Sequence, residues 1–175
     1  MTNRNNQFVV SAEEAVFWMD AHGRWCNAHG RIGHKRTVDY LNRCIGHDAG
    51  GWFVRQRRGH LHEKVYFRCP HTALFAIDLE VGDRIVLVLN TRRRIALKPR
   101  CLEITEDSLF QREGPVRIKF TARAAAKLMP LIEESRNQWL IRVGGRRYRI
   151  AQTDTAGARQ DRKTRPDIPE ETTGQ

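Results

Sequence analysis

The segment His60-Leu61-His62-Glu63-Lys64 gathers imidazole, carboxylate and ammonium groups within one short stretch. On a strand, His60, His62 and Lys64 share one face, while Leu61, Glu63 and Val65 share the other. Two histidines at i and i+2 hold a metal only with a third ligand and outer partners to orient the rings. Glu63 sits on the apolar side, and a carboxylate facing a core needs a cation or a donor. Arg55 and Arg142 are its expected partners. Glu63 then has three readings: an ion pair fixing the sheet, a carboxylate facing a ligand, or an acid or base working with His62.

Cations supply the second candidate chemistry. They cluster as Arg55-Gln56-Arg57-Arg58, as Arg92-Arg93-Arg94 with Lys98 and Arg100, and as Arg142 with Arg146, Arg147 and Arg149. All lie at expected strand ends or turns. The chain of 175 residues holds 31 Lys and Arg against 20 Asp and Glu, a net charge of +11. Each end is slightly acidic, so residues 17–152 carry +13. Such a surface attracts polyanions such as nucleic acid or anionic lipid. The candidate ligand-binding set is therefore Arg55, Arg57, Arg58, His62, Glu63, Lys64, Arg92, Arg93, Arg94 and Arg142. Its expected partner is an anionic small molecule or a protein. The alternative is RNA or DNA, with Tyr66, Phe110, Trp139 and Tyr148 as stacking groups. No helix-turn-helix or RNA-recognition motif supports that alternative.

Catalytic signatures are missing from the sequence. It has no GxSxG elbow, phosphate loop, HExxH or GxGxxG. An enzyme using His62 and Glu63 is the third reading, behind both binding readings. Cys26, Cys44, Cys69 and Cys101 form no CxxC pair, which suits free thiols in a reducing compartment. Cys69, His71 and Cys101 lack the paired spacing of a zinc site. The expectation is no catalytic residue, no metal and no cofactor.

These groups need elements to position them. Leu61–Leu97 reads as four successive strands of an antiparallel meander, turning at Val81-Gly82-Asp83 and Asn90-Thr91-Arg92. Ile85–Leu89 is apolar at every position, which predicts a strand covered on both faces. Val16–Met19 and Gly23–Cys26 predict strands about the turn Asp20–Gly23, and Arg31-Ile32 a further extended piece. Helical spacing runs from His34 to Ile45, with Val38, Leu41, Cys44 and Ile45 on one face and Gly46 as the stop. Trp52–Arg55, Leu102–Ile104, Leu109-Phe110 and Val116–Phe120 predict strands. Thr121 caps a second helix carrying Ala125, Leu128, Leu131 and Ile132, which Pro130 kinks or splits. Gln138–Val143 and Arg146–Ile150 form a hairpin about Gly144-Gly145.

A shift of 87 residues places Val38 on Ala125, Leu41 on Leu128, Trp52 on Trp139 and Arg55 on Arg142. The fold class expected is α+β: antiparallel sheets with two helices, in two related repeats (about 16–98 and 102–150) around a pseudo-two-fold axis. Residues 1–12 and 153–175 are expected to be disordered, flanking one domain at 13–152. No run approaches the ~18 apolar residues of a membrane helix. With no apolar leader, the expected compartment is the cytoplasm.

Asp20-x-x-Gly23-x-Trp25, Gly30-x-Ile32 before a basic helix, Glu63-Lys64-Val65 and Ala73-Leu74-Phe75-Ala76-Ile77-Asp78-Leu79-Glu80 together resemble a bacterial family, domain of unknown function 1285. The likeness is best over residues 17–100 and looser over 101–150. It implies a two-repeat α+β fold and, by analogy only, a part in signal transduction. His62 before Glu63-Lys64 and a shorter, more basic second half depart from the family pattern.

Overall fold

Two apolar cores sit on opposite sides of one strand in the computed structural model, which describes residues 7–59, 61–105 and 107–153. The first half of the chain supplies β1 (Gln7–Val10), β2 (Phe17–Met19), β3 (Trp25–Asn27), β4 (Gly30–Arg31), α1 (Lys35–Arg43), β5 (Ile45–Asp48), β6 (Gly51–Arg58) and β7 (Leu61–Tyr66). Then come β8 (Leu74–Val81), β9 (Ile85–Leu89) and β10 (Arg94–Ala96). The second half adds β11 (Leu102–Ile104), β12 (Leu109–Glu113), β13 (Val116–Phe120), α2 (Ala122–Leu128), β14 (Ile132–Ser135), β15 (Gln138–Val143), β16 (Arg146–Arg149) and β17 (Ala151–Gln152). Strands order as β1-β7-β6-β5, as β10-β9-β8-β13-β12-β11-β17, and as the triplets β14-β15-β16 and β2-β3-β4. The fold is α+β.

β8 is the strand common to both cores. Leu74, Ala76 and Leu79 join Leu87, Leu89, Ile118, Leu128 and Ile141 in the larger one. Phe75 and the preceding Ala73 enter the smaller one, with Met19, Trp25, Leu41, Val54 and Phe67. Strand alternation sets Phe75 opposite Leu74 and Ala76, and the register shift between Ala76 and Asp78 returns Leu79 to the side of the larger core. Burying Phe75, which is 3% exposed, is worth about 1.5–3 kcal/mol.

Several expectations change. The meander has three strands, β8, β9 and β10, because β7 pairs with β6 in another sheet. After β7 the chain lies against other strands: Phe67 N–H donates to Trp52 O, and Arg68 O accepts from Met19 N–H. Pro70 offers no N–H to extend a ladder. On β9 only Ile85, Leu87 and Leu89 are buried, while Val86 and Val88 are half-buried; the strand covered on both faces is the first part of β8. Residues 7–10, expected to be frayed, pair in parallel with β7, where Phe8-Val9-Val10 finds an open ladder. Residues 1–6 and 154–175 lie outside the described residues.

Both helices end earlier than helical spacing predicts. α1 stops at Arg43, and Ile45 and Gly46 belong to β5. Gly46 is needed there for space and not as a helix cap: a Cβ would lie 2.4 Å from the Phe53 ring. Thr121 caps α2 as expected, its hydroxyl accepting from Ala124 N–H at 3.3 Å. Pro130 stops the helix from continuing: Met129–Leu131 forms a 3-10 turn, and Ile132 opens β14.

The ladders of the halves correspond closely. Ile45, Gly46, His47 and Asp48 pair with Val54, Phe53, Trp52 and Gly51. Ile132, Glu133, Glu134 and Ser135, each 87 residues later, pair with Ile141, Leu140, Trp139 and Gln138. Phe67 N–H donates to Trp52 O as Ile150 N–H does to Trp139 O.

A single side chain fastens β8 to the turn after β9. Asn90, 8% exposed, accepts from Phe75 N–H at 3.0 Å and donates to Ala73 O at 3.0 Å. Asn90→Ala leaves both backbone groups buried and unpaired. Chemical denaturation should show a loss of about 2–4 kcal/mol. Gly46→Ala should cost about 1–3 kcal/mol as Phe53 is displaced. Gly82, whose Cβ would meet nothing within 4 Å, is the control: its Ala variant should melt within about 0.5 kcal/mol of wild type.

Candidate anion-binding groove

Asp20 begins the site. Its Oδ1 accepts from His22 N–H and Arg24 N–H, both at 2.8 Å, folding the turn between β2 and β3. Gly23 takes φ +77° and lies on the Phe75 ring, where a Cβ would be 2.8 Å from a ring carbon. Trp25, next but one, is 1% exposed, and its indole donates to Asn42 Oδ1 at 2.8 Å. The Asp20-x-x-Gly23-x-Trp25 spacing thus builds a turn anchored on Phe75.

Opposite that turn stands β13. It pairs in parallel with β8, setting Lys119 beside Phe75, and antiparallel with β12, setting Lys119 beside Phe110. Residues in register share a face, so Phe75, Lys119 and Phe110 form a row across three strands. Arg117, two residues from Lys119, joins that face. The Arg117 guanidinium carbon is 4.9 Å from the Phe110 ring centroid, and the Lys119 ammonium 5.9 Å. Lys119 also donates to Ala21 O at 3.0 Å, tying the first half's turn to the second half's strand. A groove of about 1090 Å³ opens between them, bounded also by His22, Arg24, His71 and Arg123.

Charge in this groove is poorly balanced. Arg123 is paired with Asp78, but among the described residues no carboxylate lies within ion-pair distance of Arg24, Arg117 or Lys119. Asp107 is the carboxylate in the described lining. Partial desolvation, and then the Lys119 and Arg117 charges, push the pKa of the largely exposed His71 below its ordinary value.

The candidates read from the sequence lie in three separate sheets. Arg55 is exposed, its guanidinium carbon 5.5 Å from the Phe53 ring centroid. Arg57 donates to Gly59 O at 3.0 Å, and Arg58 pairs with Leu61 in the β6–β7 ladder. Lys64 is bonded to Asp48 and stands over Phe53 and Tyr66; the bond holds the Asp48 carboxyl below its usual range. Arg92 grips Asp39 with two nitrogens, at 2.8 and 2.7 Å, and Arg43 shares that carboxylate. Arg94 pairs with Glu80. Arg93 and Arg142 are exposed, on the turn into β10 and on β15.

Glu63 has a different partner from the one expected. Gln56 Nε2 donates to its Oε2 at 2.6 Å, because Gln56 stands directly opposite in the ladder, whereas Arg55 faces Lys64. A neutral amide satisfies the half-buried carboxylate. His62 is exposed, and successive strand residues point to opposite faces. His60 lies outside the described residues. Among the described residues, no three His, Cys, Asp or Glu side chains form a metal-holding group. Burial pushes the Cys69 thiol up to about 11, leaving it protonated and a poor nucleophile. No described helix is long and apolar enough to cross a membrane.

The groove residues Arg24, His71, Arg117 and Lys119 fall outside the set that sequence reasoning selects. Arg117 and Lys119 alternate with Val116, Ile118 and Phe120, and so read as the wet side of a strand. The missing information is the parallel pairing of β13 with β8, which brings Ile118 to Leu74.

No family model and no curated protein matches the sequence. Among solved structures, the DUF1285 family protein from Silicibacter pomeroyi DSS-3 is similar over 82% of both chains, with a TM-score of 0.59 at 11% identity. A DUF1285 family protein from Shewanella baltica os155 is similar over 61% of this chain and 84% of its own, with a TM-score of 0.44 at 12% identity. The chain has the fold of the Silicibacter DUF1285 family protein, in keeping with the family its Asp20-x-x-Gly23-x-Trp25 and Glu63-Lys64-Val65 motifs resemble.

Proposed function

We propose that this protein is a non-enzymatic binding module for a small anionic ligand, held in the groove between the β2–β3 turn and β13. The observation that carries the reading is Arg117 and Lys119 sharing the Phe110 ring with no carboxylate partner among the described residues. Two like charges beside one ring repel, and an anion between them removes the repulsion. Arg24, on the β2–β3 turn, lines the same groove. A concave site with a few convergent donors suits a compact ligand.

The strand-end arginines fit that role less well. Arg92, Arg94 and Lys64 are engaged by Asp39, Glu80 and Asp48, and the set is divided among separate sheets. Nucleic acid needs a continuous stripe of cations along a face, and so becomes an outcome of the test. A regulatory role, in which occupancy of the groove is passed to a protein partner, is compatible with this reading.

Differential scanning fluorimetry of the full chain with sodium sulfate should show a saturable rise in Tm. Arg117→Gln removes a charge whose guanidinium makes no hydrogen bond in the described structure. It should keep the unliganded Tm and weaken sulfate binding by about tenfold, the loss of one charge-assisted contact. Fluorescence anisotropy with labelled oligonucleotides should show only weak binding. Tight binding that falls steeply with salt and survives Arg117→Gln would overturn the reading in favour of a phosphate-tracking surface.

A further inference from the structure

The His71 ring borders the same groove as Arg117 and Lys119, close enough for their charges to act on its titration. Resting on the reading of the groove as an anion site, we infer that its ligand carries a doubly charged oxyanion of the phosphate or sulfate type, and that His71 takes up a proton as this anion enters.

Charge decides the ligand class. Arg117 and Lys119 together present two positive charges without a carboxylate partner among the described residues, and Arg24 adds a third from the facing turn. A single carboxylate leaves most of that charge unbalanced, whereas a dianion with several acceptor oxygens can engage both β13 cations at once. A proton on His71 adds one more donor on the same wall.

The coupling arises from the charged and titratable groups that line the same groove. From β13 come Arg117 and Lys119; from the β2–β3 turn, Arg24 and His22; from the β11–β12 turn, Asp107; from α2, Arg123, already paired with Asp78. Partial desolvation and the β13 cations disfavour a proton on the free ring. A dianion placed among these groups offsets most of the positive potential and so favours the imidazolium. The protein with anion then binds more protons than the protein without it. By linkage the anion binds more tightly as pH falls through the His71 titration, and the gain is lost as pH rises above the pKa of the bound state.

Sulfate is the probe, because it stays doubly charged across the range, whereas a phosphate ester gains a proton near pH ~6. Isothermal titration of the full chain with sodium sulfate, from about pH 5.5 to 8 in buffers of differing ionisation heat, should reveal proton uptake and an affinity that weakens by up to about tenfold per pH unit. Sodium acetate should bind at least about tenfold more weakly. His71→Gln should still bind sulfate at the alkaline end, yet lose the proton uptake and the pH dependence. His22→Gln should keep both. Sulfate binding that is flat with pH, or equally pH-dependent in His71→Gln, overturns the coupling while Arg117→Gln still tests the anion site. Acetate binding as tightly as sulfate overturns the ligand class. No sulfate binding at any pH overturns the anion-site reading along with this one.

Discussion

Everything in this structure depends on β8 being buried from both sides. Phe75 enters one core and its neighbours Leu74 and Ala76 the other, so neither core can form without fixing the strand that serves both. Asn90 holds the strand in place by satisfying Phe75 N–H and Ala73 O. Buried backbone groups of this kind are costly to leave unmade. Thr72, 2% exposed, adds a second anchor, donating to Arg117 O at 2.5 Å and accepting from Leu74 N–H at 3.1 Å.

The groove is a consequence of that arrangement. With β8 fixed, Phe75 presents one side of its ring to Gly23, which brings the first half's turn over the second half's sheet. The parallel partner β13 then points Arg117 and Lys119 at the same space. The surface ion pairs, Asp39 with Arg43 and Arg92 or Asp78 with Arg123 and Lys127, have solvent-exposed cations and contribute little to stability. In the groove, Arg117 and Lys119 lie beside the Phe110 ring with no carboxylate within ion-pair distance among the described residues.

Local chemistry in the sequence announces much of the fold. Thr121 reads as a cap because a hydroxyl before Ala-Arg-Ala-Ala-Ala can accept a helix N–H, and Pro130 reads as a break because it lacks an N–H. The Asp20–Gly23 turn and the Gly144-Gly145 hairpin are legible for the same local reasons. Long-range pairing is not. Gly46 looks like a helix stop until the Phe53 ring is seen above it. The Arg117-Lys119 pair looks like an ordinary wet strand face until β13 is placed beside β8, with Leu74 and Ile118 in register. Charge density draws attention to the strand-end arginines, but density is not convergence. Several of those cations already have carboxylates, whereas among the described residues Arg24, Arg117 and Lys119 do not.

The central claim is that an anion binds between the β2–β3 turn and β13. Amide chemical shifts of the isotope-labelled full chain, followed through a sulfate titration, test it most directly. Binding in the groove predicts saturable shifts gathered at Ala21–Arg24, His71, Ser108–Phe110 and Arg117–Lys119, with one common affinity. Shifts centred instead on Arg55–Lys64, or spread evenly over the basic surface without saturation, would contradict it.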